Sequence, residues 1–405
     1  MIDAIVMEWG SLLLRWVHII TGIAWIGSSF YFMHIDAALR ATPDSPPGTG
    51  GEAWEVHGGG FYHVRKYMIA PDKLPDELIW HKWESYSTWI SGFFLLVWVY
   101  YLGSDLYLID PAVRQLSPLA AAGIGIGGLA VGWIVYNLLV SSPLAKNEAA
   151  LAAVGFAFVM AMAWFFQQMF SGRGALLHTG AMMGTIMSGN VAMNIIPNQK
   201  KVIADLIAGR VPNPEFGKQA KTRSRHNNYL TLPVLYCMLS GHYPLTFSSP
   251  YTWVTVGFVL IAGALVRHFY NERHAGRGNL WWTWAVAGAC MLAVIAISML
   301  SNPMGRERLG LKAIKQVQLA SLVRVPKTVD DIITSRCSMC HAVDPVWSGV
   351  AAPPKGVLLE THAHIARQAN AIRIQAVLTN AMPPNNITMM TMDERRTLAA
   401  WLKTR

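Results

Sequence analysis

The sequence predicts an all-α protein: a polytopic membrane bundle of about eight helices, followed by a small separate helical domain. Three observations predict it. Of 405 residues, 53% are hydrophobic and only 14% charged, too few for a soluble surface of that length. Apolar stretches near the ~20-residue spanning length recur through the first three quarters. After Leu300 that pattern stops, and 302–405 holds 14 Lys+Arg against 7 Asp+Glu, where 1–301 holds 19 against 16.

The expected spans are 11–33, 86–104, 117–141, 149–170, 175–196, 229–246, 250–270 and 280–300. The fifth is the most polar, with His178, Thr179, Ser188, Asn190 and Asn194 among its apolar residues. Its Gly180, Gly184 and Ser188 recur every four positions, a stripe that lets a second helix come close, so it reads as a buried span.

Lysine and arginine counts in the loops orient the bundle. With the N-terminus outside, the inner loops carry fifteen basic residues: Arg40, Arg65, Lys66, Lys73, Lys82, Lys146, Lys200, Lys201, Arg210, Lys218, Lys221, Arg223, Arg225, Arg273 and Arg277. The outer loops carry Arg114 and Arg173. No basic residue precedes the first apolar run, which is therefore expected to stay as a span instead of being cleaved as a signal. Eight spans return the C-terminal segment to the outside.

The chain divides at 1–302 (membrane domain), 303–325 (basic amphipathic linker, entered through Ser301-Asn302-Pro303) and 326–405 (polar C-terminal domain). In the last lies Cys337-Ser338-Met339-Cys340-His341, the C-x-x-C-H attachment signature of a c-type haem. Two thiols three positions apart reach the two vinyl groups of a haem, and the next residue, His341, falls under the iron. Met382, in Ala381-Met382-Pro383-Pro384, is the candidate sixth ligand, with Met389, Met390 and Met392 as rivals. A structural zinc site needs two more ligands, and only His362 and His364 are at hand. Flanking helices at 329–336 and 393–402 complete the outline of a class I cytochrome c. Such attachment takes place on the outer, periplasmic side, where the loop charges also put this segment.

Polar residues within a bilayer are expensive and are functional candidates by default. His18, His178 and His242 are expected near the outer face; His34, His81, His226, His268, Asn194, Asn227, Asn228 and Arg267 near the inner one. His18 and His34, sixteen residues or ~24 Å apart along one helix, cannot share a site. His18 and His178 together would suit a b-type haem, a metal or a substrate. The plain alternative is a histidine bonded to a neighbouring helix. Arg225, Asn227 and Asn228 would suit hydrogen bonds to a planar oxo-heterocycle, or serve only as a positive-inside anchor. The glycines of His57-Gly58-Gly59-Gly60-Phe61-Tyr62 lack the Lys-Ser/Thr of a phosphate loop. That segment reads as interfacial aromatic loop or as a lid.

The order of parts resembles the bacterial membrane-integrated urate oxidases, or urate hydroxylases, of the PuuD type. The stretches that carry the resemblance are Trp16-Val17-His18-Ile19-Ile20 with Trp25-Ile26-Gly27, the 57–62 segment, Trp80-His81-Lys82-Trp83-Glu84, Arg225-His226-Asn227-Asn228-Tyr229, and the cytochrome module closing at Ala381-Met382-Pro383-Pro384. The resemblance implies oxidation of urate toward 5-hydroxyisourate, with the fused haem c taking the electrons and a respiratory oxidase or soluble cytochrome beyond it. It also implies a polytopic membrane domain, which the loop charges orient as an inner-membrane protein with its N-terminus and cytochrome domain periplasmic. About fifteen residues of the first helix are similar to protoporphyrinogen oxidases of the HemJ type, which makes His18, partnered by His178, a candidate b-haem ligand as well as a candidate catalytic residue. The rival readings are a quinol-linked cytochrome b/c carrier, a haem-copper oxidase and a transporter or sensor with a redox domain. The partners implied are urate, the lipid bilayer and the electron acceptor; nucleic acid is not among them.

Overall fold

The computed structural model describes residues 2–46, 48–68, 71, 74–110, 113–247, 249–301, 324–348, 350, 353–378 and 381–403. The chain is mostly helical. In order come α1 (Ile2–Ala38), a hairpin of β1 (Thr49–His57) and β2 (Gly60–Tyr67), α2 (Trp83–Leu96) with a π-helical extension Val97–Tyr101, α3 (Pro118–Ser141) and α4 (Glu148–Met169). Then follow α5 (Gly172–Asn190), which runs through a π turn into α6 (Ile196–Ile207), α7 (Pro214–Ser240), α8 (Thr252–His274) and α9 (Trp282–Ser301). The C-terminal domain contains α10 (Lys327–Arg336), α11 (His362–Arg367) and α12 (Met392–Leu402). The basic linker expected at 303–325 lies outside the described residues apart from its last two positions.

Among the described residues, five helices are long and apolar enough to cross a membrane: Trp9–Ala38, Pro118–Ser141, Glu148–Met169, Thr252–His274 and Trp282–Ser301. The other three expected spans also fall on helices, but on more polar ones. α5 carries the buried His178, Thr179, Ser188 and Asn190, and the first half of α7 carries Lys218, Lys221, Arg223 and Arg225.

α5 is the hub. It packs on α7, α3 and α4, and its Met182, Met183, Ile186, Leu176 and His178 are sealed from solvent, whereas Leu119, Ile23 and Leu292 on other helices are 84%, 66% and 67% exposed. Apolar residues thus face outward as well as inward, as a lipid environment permits; close backbone approach and dispersion then hold the helices together. The small-residue stripe of α5 is half realised. Gly180 abuts Cys237 of α7 and Ser188 meets Ser85 of α2 at 3.2 Å, but Gly184 faces open space. The tighter seam comes from α3, where Gly125, Gly128 and Gly132 admit His178, Phe166 and Met182.

The segment expected as loop in an all-α chain is instead a β-hairpin. Gly58 and Gly59 adopt φ of 58° and 83°, the left-handed pair that a tight two-residue turn demands, and Val56 pairs with Phe61, Trp54 with His63. Glu55 accepts a hydrogen bond from Tyr31 (2.6 Å) and Lys66 pairs with Asp36, so the hairpin lies back along the end of α1.

In the C-terminal domain Val329, Ile333, Leu359, Ile365, Leu398 and Trp401 form the core. The end of α10 is locked to α12: Arg336 donates to Glu394 (2.9 and 3.0 Å) and to the Thr388 carbonyl (2.7 Å), while Glu394 closes a capping box with Thr391. Burial raises the Glu394 carboxyl, but the Thr391 N–H and the Arg336 guanidinium outweigh it and hold the group below its ordinary value. A depressed carboxylate stabilises the fold above its unfolded value and loses that contribution as pH falls through the folded one. Protection of α10 against hydrogen exchange is therefore expected to drop on acidification through the carboxylate range, and E394Q is expected to show low protection at neutral pH with a flatter acid slope.

Candidate functional site

Three groups of polar side chains stand out, one in the C-terminal domain and two in the bundle. Cys337 and Cys340 occupy the turn that follows α10 directly, and the Arg336 lock fixes that turn. Both thiols are free, and burial pushes Cys337 up to about 12, so this sulfur stays uncharged, as a thioether also is. His341 donates from Nδ1 to the Val357 carbonyl at 2.9 Å. Its Nε2 is then the lone-pair nitrogen available to an iron, and burial, opposed by that hydrogen bond, keeps the ring below its ordinary value and neutral. Met382 is half-buried, its carbonyl held by Arg395 Nη1 at 3.0 Å and its N–H donating to Gln375 at 2.8 Å. Of its rivals, Met390 is packed into the core at 3% exposure, and Met389 and Met392 are 74% and 60% exposed. Among the described residues no cluster of three or more His, Cys, Asp or Glu is placed to hold a metal ion; His362 pairs instead with Asp330. The donor set suits a covalent haem.

The inner polar residues sort into two separate networks. In the first, Arg223 Nη1 donates to Asn190 (3.0 Å) and Nη2 to Asn137 (2.8 Å); Asn190 donates to Asn227 (2.9 Å) and to the Tyr136 hydroxyl (3.0 Å), which also meets His226 Nδ1 at 2.8 Å. In the second, Arg267 Nε donates to Asn228 (2.6 Å), Asn228 donates to Asn271 (3.1 Å), and the guanidinium lies over the Phe30 ring at 3.8 Å. His34 and His274 stack nearby at 4.0 Å. Two corrections follow. Adjacent residues on a helix point ~100° apart, so Asn227 and Asn228 face different networks. Arg225 joins neither; it pairs at the bundle edge with Glu148. The buried guanidinium is Arg223, two positions earlier and 3% exposed. It was passed over in the sequence; Tyr136 and Asn137, polar residues inside an otherwise apolar run, are the signal that could have found it.

His18 and His178 do not meet. His18 Nδ1 donates to the Thr88 carbonyl at 3.0 Å, with Ser91 Oγ at 3.2 Å. His178 is fully buried, donates from Nδ1 to the Gly174 carbonyl (2.8 Å) and accepts at Nε2 from Tyr101 (3.2 Å), among Phe166 and Phe170. His18 is held against the Thr88–Gly92 turn of α2, whereas His178 meets the Tyr101 hydroxyl beyond the end of α2, and each Nδ1 is engaged by a backbone carbonyl.

The end of the bundle near His178 bears the C-terminal domain. Arg367 pairs with Asp110 (3.1 Å) and donates to the Ile109 carbonyl (3.2 Å), and Gly356 abuts the Phe247 ring. Arg173, Tyr100, Tyr107 and His242 lie at this same end.

Residues 4–299, nearly the whole bundle, match the family described as urate oxidase N-terminal. No curated protein and no solved structure matches the chain.

Proposed function

The chain belongs to the urate oxidase N-terminal family, and from that premise we propose that it is a membrane-bound oxidoreductase that converts urate to 5-hydroxyisourate and passes the electrons to a haem c on its own C-terminal domain. The family points to urate metabolism and to an oxidoreductase-type enzyme; five helices of membrane-crossing length and composition are compatible with a membrane protein. The observation that carries the finer reading is the presence, in the same chain, of the C-x-x-C-H turn with His341 Nε2 left free to ligate.

The overall step balances as urate plus water giving 5-hydroxyisourate, two protons and two electrons. Cys337, Cys340, His341 and Met382 would hold a haem c, which would supply a one-electron acceptor. The chain's own residues bind the urate anion, keep water from the ring until its two electrons have left, and accept the protons. Arg225 is not assigned to that work, because it is paired at the bundle edge. Asn227 and Asn228 are kept as supports of the bundle, each tied into a hydrogen-bonded network. No shared b-type haem is assigned to His18 and His178. We place the protein in the bacterial inner membrane with the C-terminal domain on the periplasmic side, on the loop charges and on where haem c is attached. A respiratory oxidase or soluble cytochrome would take electrons from it there.

A second reading, a quinol-linked electron carrier, draws on an apolar cleft of about 320 Å³ between α7, α8 and α9, lined by Tyr236, Val266, Trp284 and Met291, beside which the buried Tyr236 hydroxyl has no partner. One measurement separates the two: an anaerobic optical spectrum of the detergent-solubilised chain before and after adding urate, then before and after adding a quinol. Urate is expected to raise the reduced c-type band to completion in the absence of oxygen. An intact haem c that urate leaves oxidised and quinol reduces would overturn the urate reading in favour of the carrier.

A further inference from the structure

The β1–β2 hairpin folds back along α1, and its contacts step down that helix in order. At its base Arg40 exchanges backbone hydrogen bonds with Glu52 (3.1 and 2.9 Å) and Asp36 pairs with Lys66; nearer the turn, Glu55 accepts from Tyr31 at 2.6 Å. The turn His57–Gly60 therefore reaches past Tyr31 toward the middle of Trp9–Ala38, the part of α1 long and apolar enough to cross a membrane. Glu55 and Lys66 face the helix. Residues directly opposite across a hairpin share a face, so the other face carries Glu52 with Arg65, Trp54 with His63 and Val56 with Phe61. Polarity along this outer face is graded. At the base Glu52 accepts from Arg65 (3.1 Å) and meets His63 (2.8 Å); toward the turn come Trp54, stacked on His63 at 4.3 Å, and then Val56 and Phe61. Trp54, Val56 and Phe61 are 67%, 68% and 77% exposed, and a Cβ at Gly58 or Gly59 would meet nothing within 4 Å, so among the described residues none covers the turn. Tyr31, Phe32 and Trp83 are exposed as well, and the Phe32–His81 ring contact at 4.9 Å brings the start of α2 to the same level. The apolar end of the hairpin is thus continuous with an aromatic surface at this end of α1 and α2.

We propose that the outer face of the hairpin docks in the headgroup layer of the bilayer, an inference that rests on the membrane placement above: Val56 and Phe61 lie at the acyl boundary, Trp54 among the headgroups, and Glu52, His63 and Arg65 on the aqueous side. The order from ion pair through tryptophan to valine and phenylalanine runs in the same direction as the descent along α1, and it is the order that a bilayer interface imposes. A face so apolar is costly to leave in water. The interface takes up its side chains and still hydrates its backbone. Among the described residues the sheet has two strands, so the peptide groups on its outer edges near the turn depend on water or headgroups for partners. Those edges also limit the depth of insertion, because hydrocarbon would leave their N–H and C=O groups unpaired.

The test places a nitroxide label at F61C, V56C or W54C, one per protein, in the full-length chain reconstituted into phosphatidylcholine–phosphatidylglycerol vesicles. Power-saturation electron paramagnetic resonance then compares collision with oxygen, which partitions into lipid, against collision with a nickel chelate, which stays in water. I23C, at an exposed position of α1, supplies the lipid reference, and R210C, at an exposed position paired with Asp205, supplies the water reference. The native chain carried through the same labelling gives the background, its Cys237 and Cys290 being buried. The oxygen-to-nickel ratio at F61C and V56C is expected to stand several-fold above that at R210C and below that at I23C, with W54C between V56C and R210C. F61C and V56C report separately should one of them fail to assemble. Water-like ratios at both, beside a lipid-like I23C, would overturn the docking of the hairpin while leaving the membrane placement standing. A water-like I23C would overturn the two together. Shielding of F61C and V56C from both reagents, or dipolar broadening that persists on dilution in lipid, would mean that protein covers this face, and would overturn the proposal in favour of a lid or a second copy of the chain.

Discussion

Serine at both Cys337 and Cys340 is expected to leave the chain without covalently attached haem and to abolish urate-dependent reduction entirely. Acid–acetone extraction followed by a pyridine haemochrome spectrum reads the first outcome, and the anaerobic spectrum with urate reads the second. The size of the effect follows from the absence of any substitute: the other two cysteines, Cys237 and Cys290, are buried in the bundle. His341→Ala separates attachment from ligation. It keeps both thioethers but removes the ring whose Nδ1 is anchored on Val357, so haem is expected to stay attached with a changed, high-spin spectrum. Met382→Ala is expected to lower the reduction potential, because a thioether ligand raises it. The same change at Met389 or Met392, both largely exposed, is expected to leave the potential where it was. A shift at Met389 with none at Met382 would reassign the sixth ligand.

Arg223→Ala is expected to destabilise the bundle by about 3–5 kcal/mol, and Arg225→Ala by less than about 1 kcal/mol. The two arginines are two positions apart and chemically identical, and only environment separates them. Arg223 is 3% exposed and holds the side-chain oxygens of the half-buried Asn137 and the fully buried Asn190; its removal leaves the Asn190 oxygen buried without its donor. Arg225 and Glu148 have side chains 41% and 73% exposed, and a pair so open to solvent gains little over its hydrated partners. Thermal unfolding of the purified variants in one detergent measures the difference. Equal losses would mean that the Asn137–Arg223–Asn190 network does not secure the helices it joins.

Much of this molecule is legible in one dimension because its strongest constraints are local. A bilayer of ~30 Å imposes length and apolarity on any segment that crosses it, so the helices at 118–141, 148–169, 252–274 and 282–301 announce themselves. The C-x-x-C-H motif is equally local, since both cysteines and the histidine lie within five consecutive residues. The hairpin at 49–67 was less visible: His57-Gly58-Gly59-Gly60 carries the turn, but the flanking strands expose Trp54, Val56 and Phe61 and lack the buried face that usually betrays a strand.

What the sequence determined alone is the helical class, the C-x-x-C-H motif and the set of polar residues that had to be explained. What only the tertiary structure decided is which of those residues share a site. His18 and His178 project from helices at different levels of α2, Asn227 and Asn228 turn to different neighbours, and Arg223 supersedes Arg225. The junction of the C-terminal segment with the bundle exists only because the folded chain brings Arg367 back to Asp110, 257 positions earlier. The physical reason is that membrane helices carry little information about rotation and depth in their composition. Apolar residues are tolerated both in the core and against lipid, so packing at small residues such as Gly125, Gly132 and Gly180 sets each helix's azimuth and height, and those in turn decide which polar groups meet.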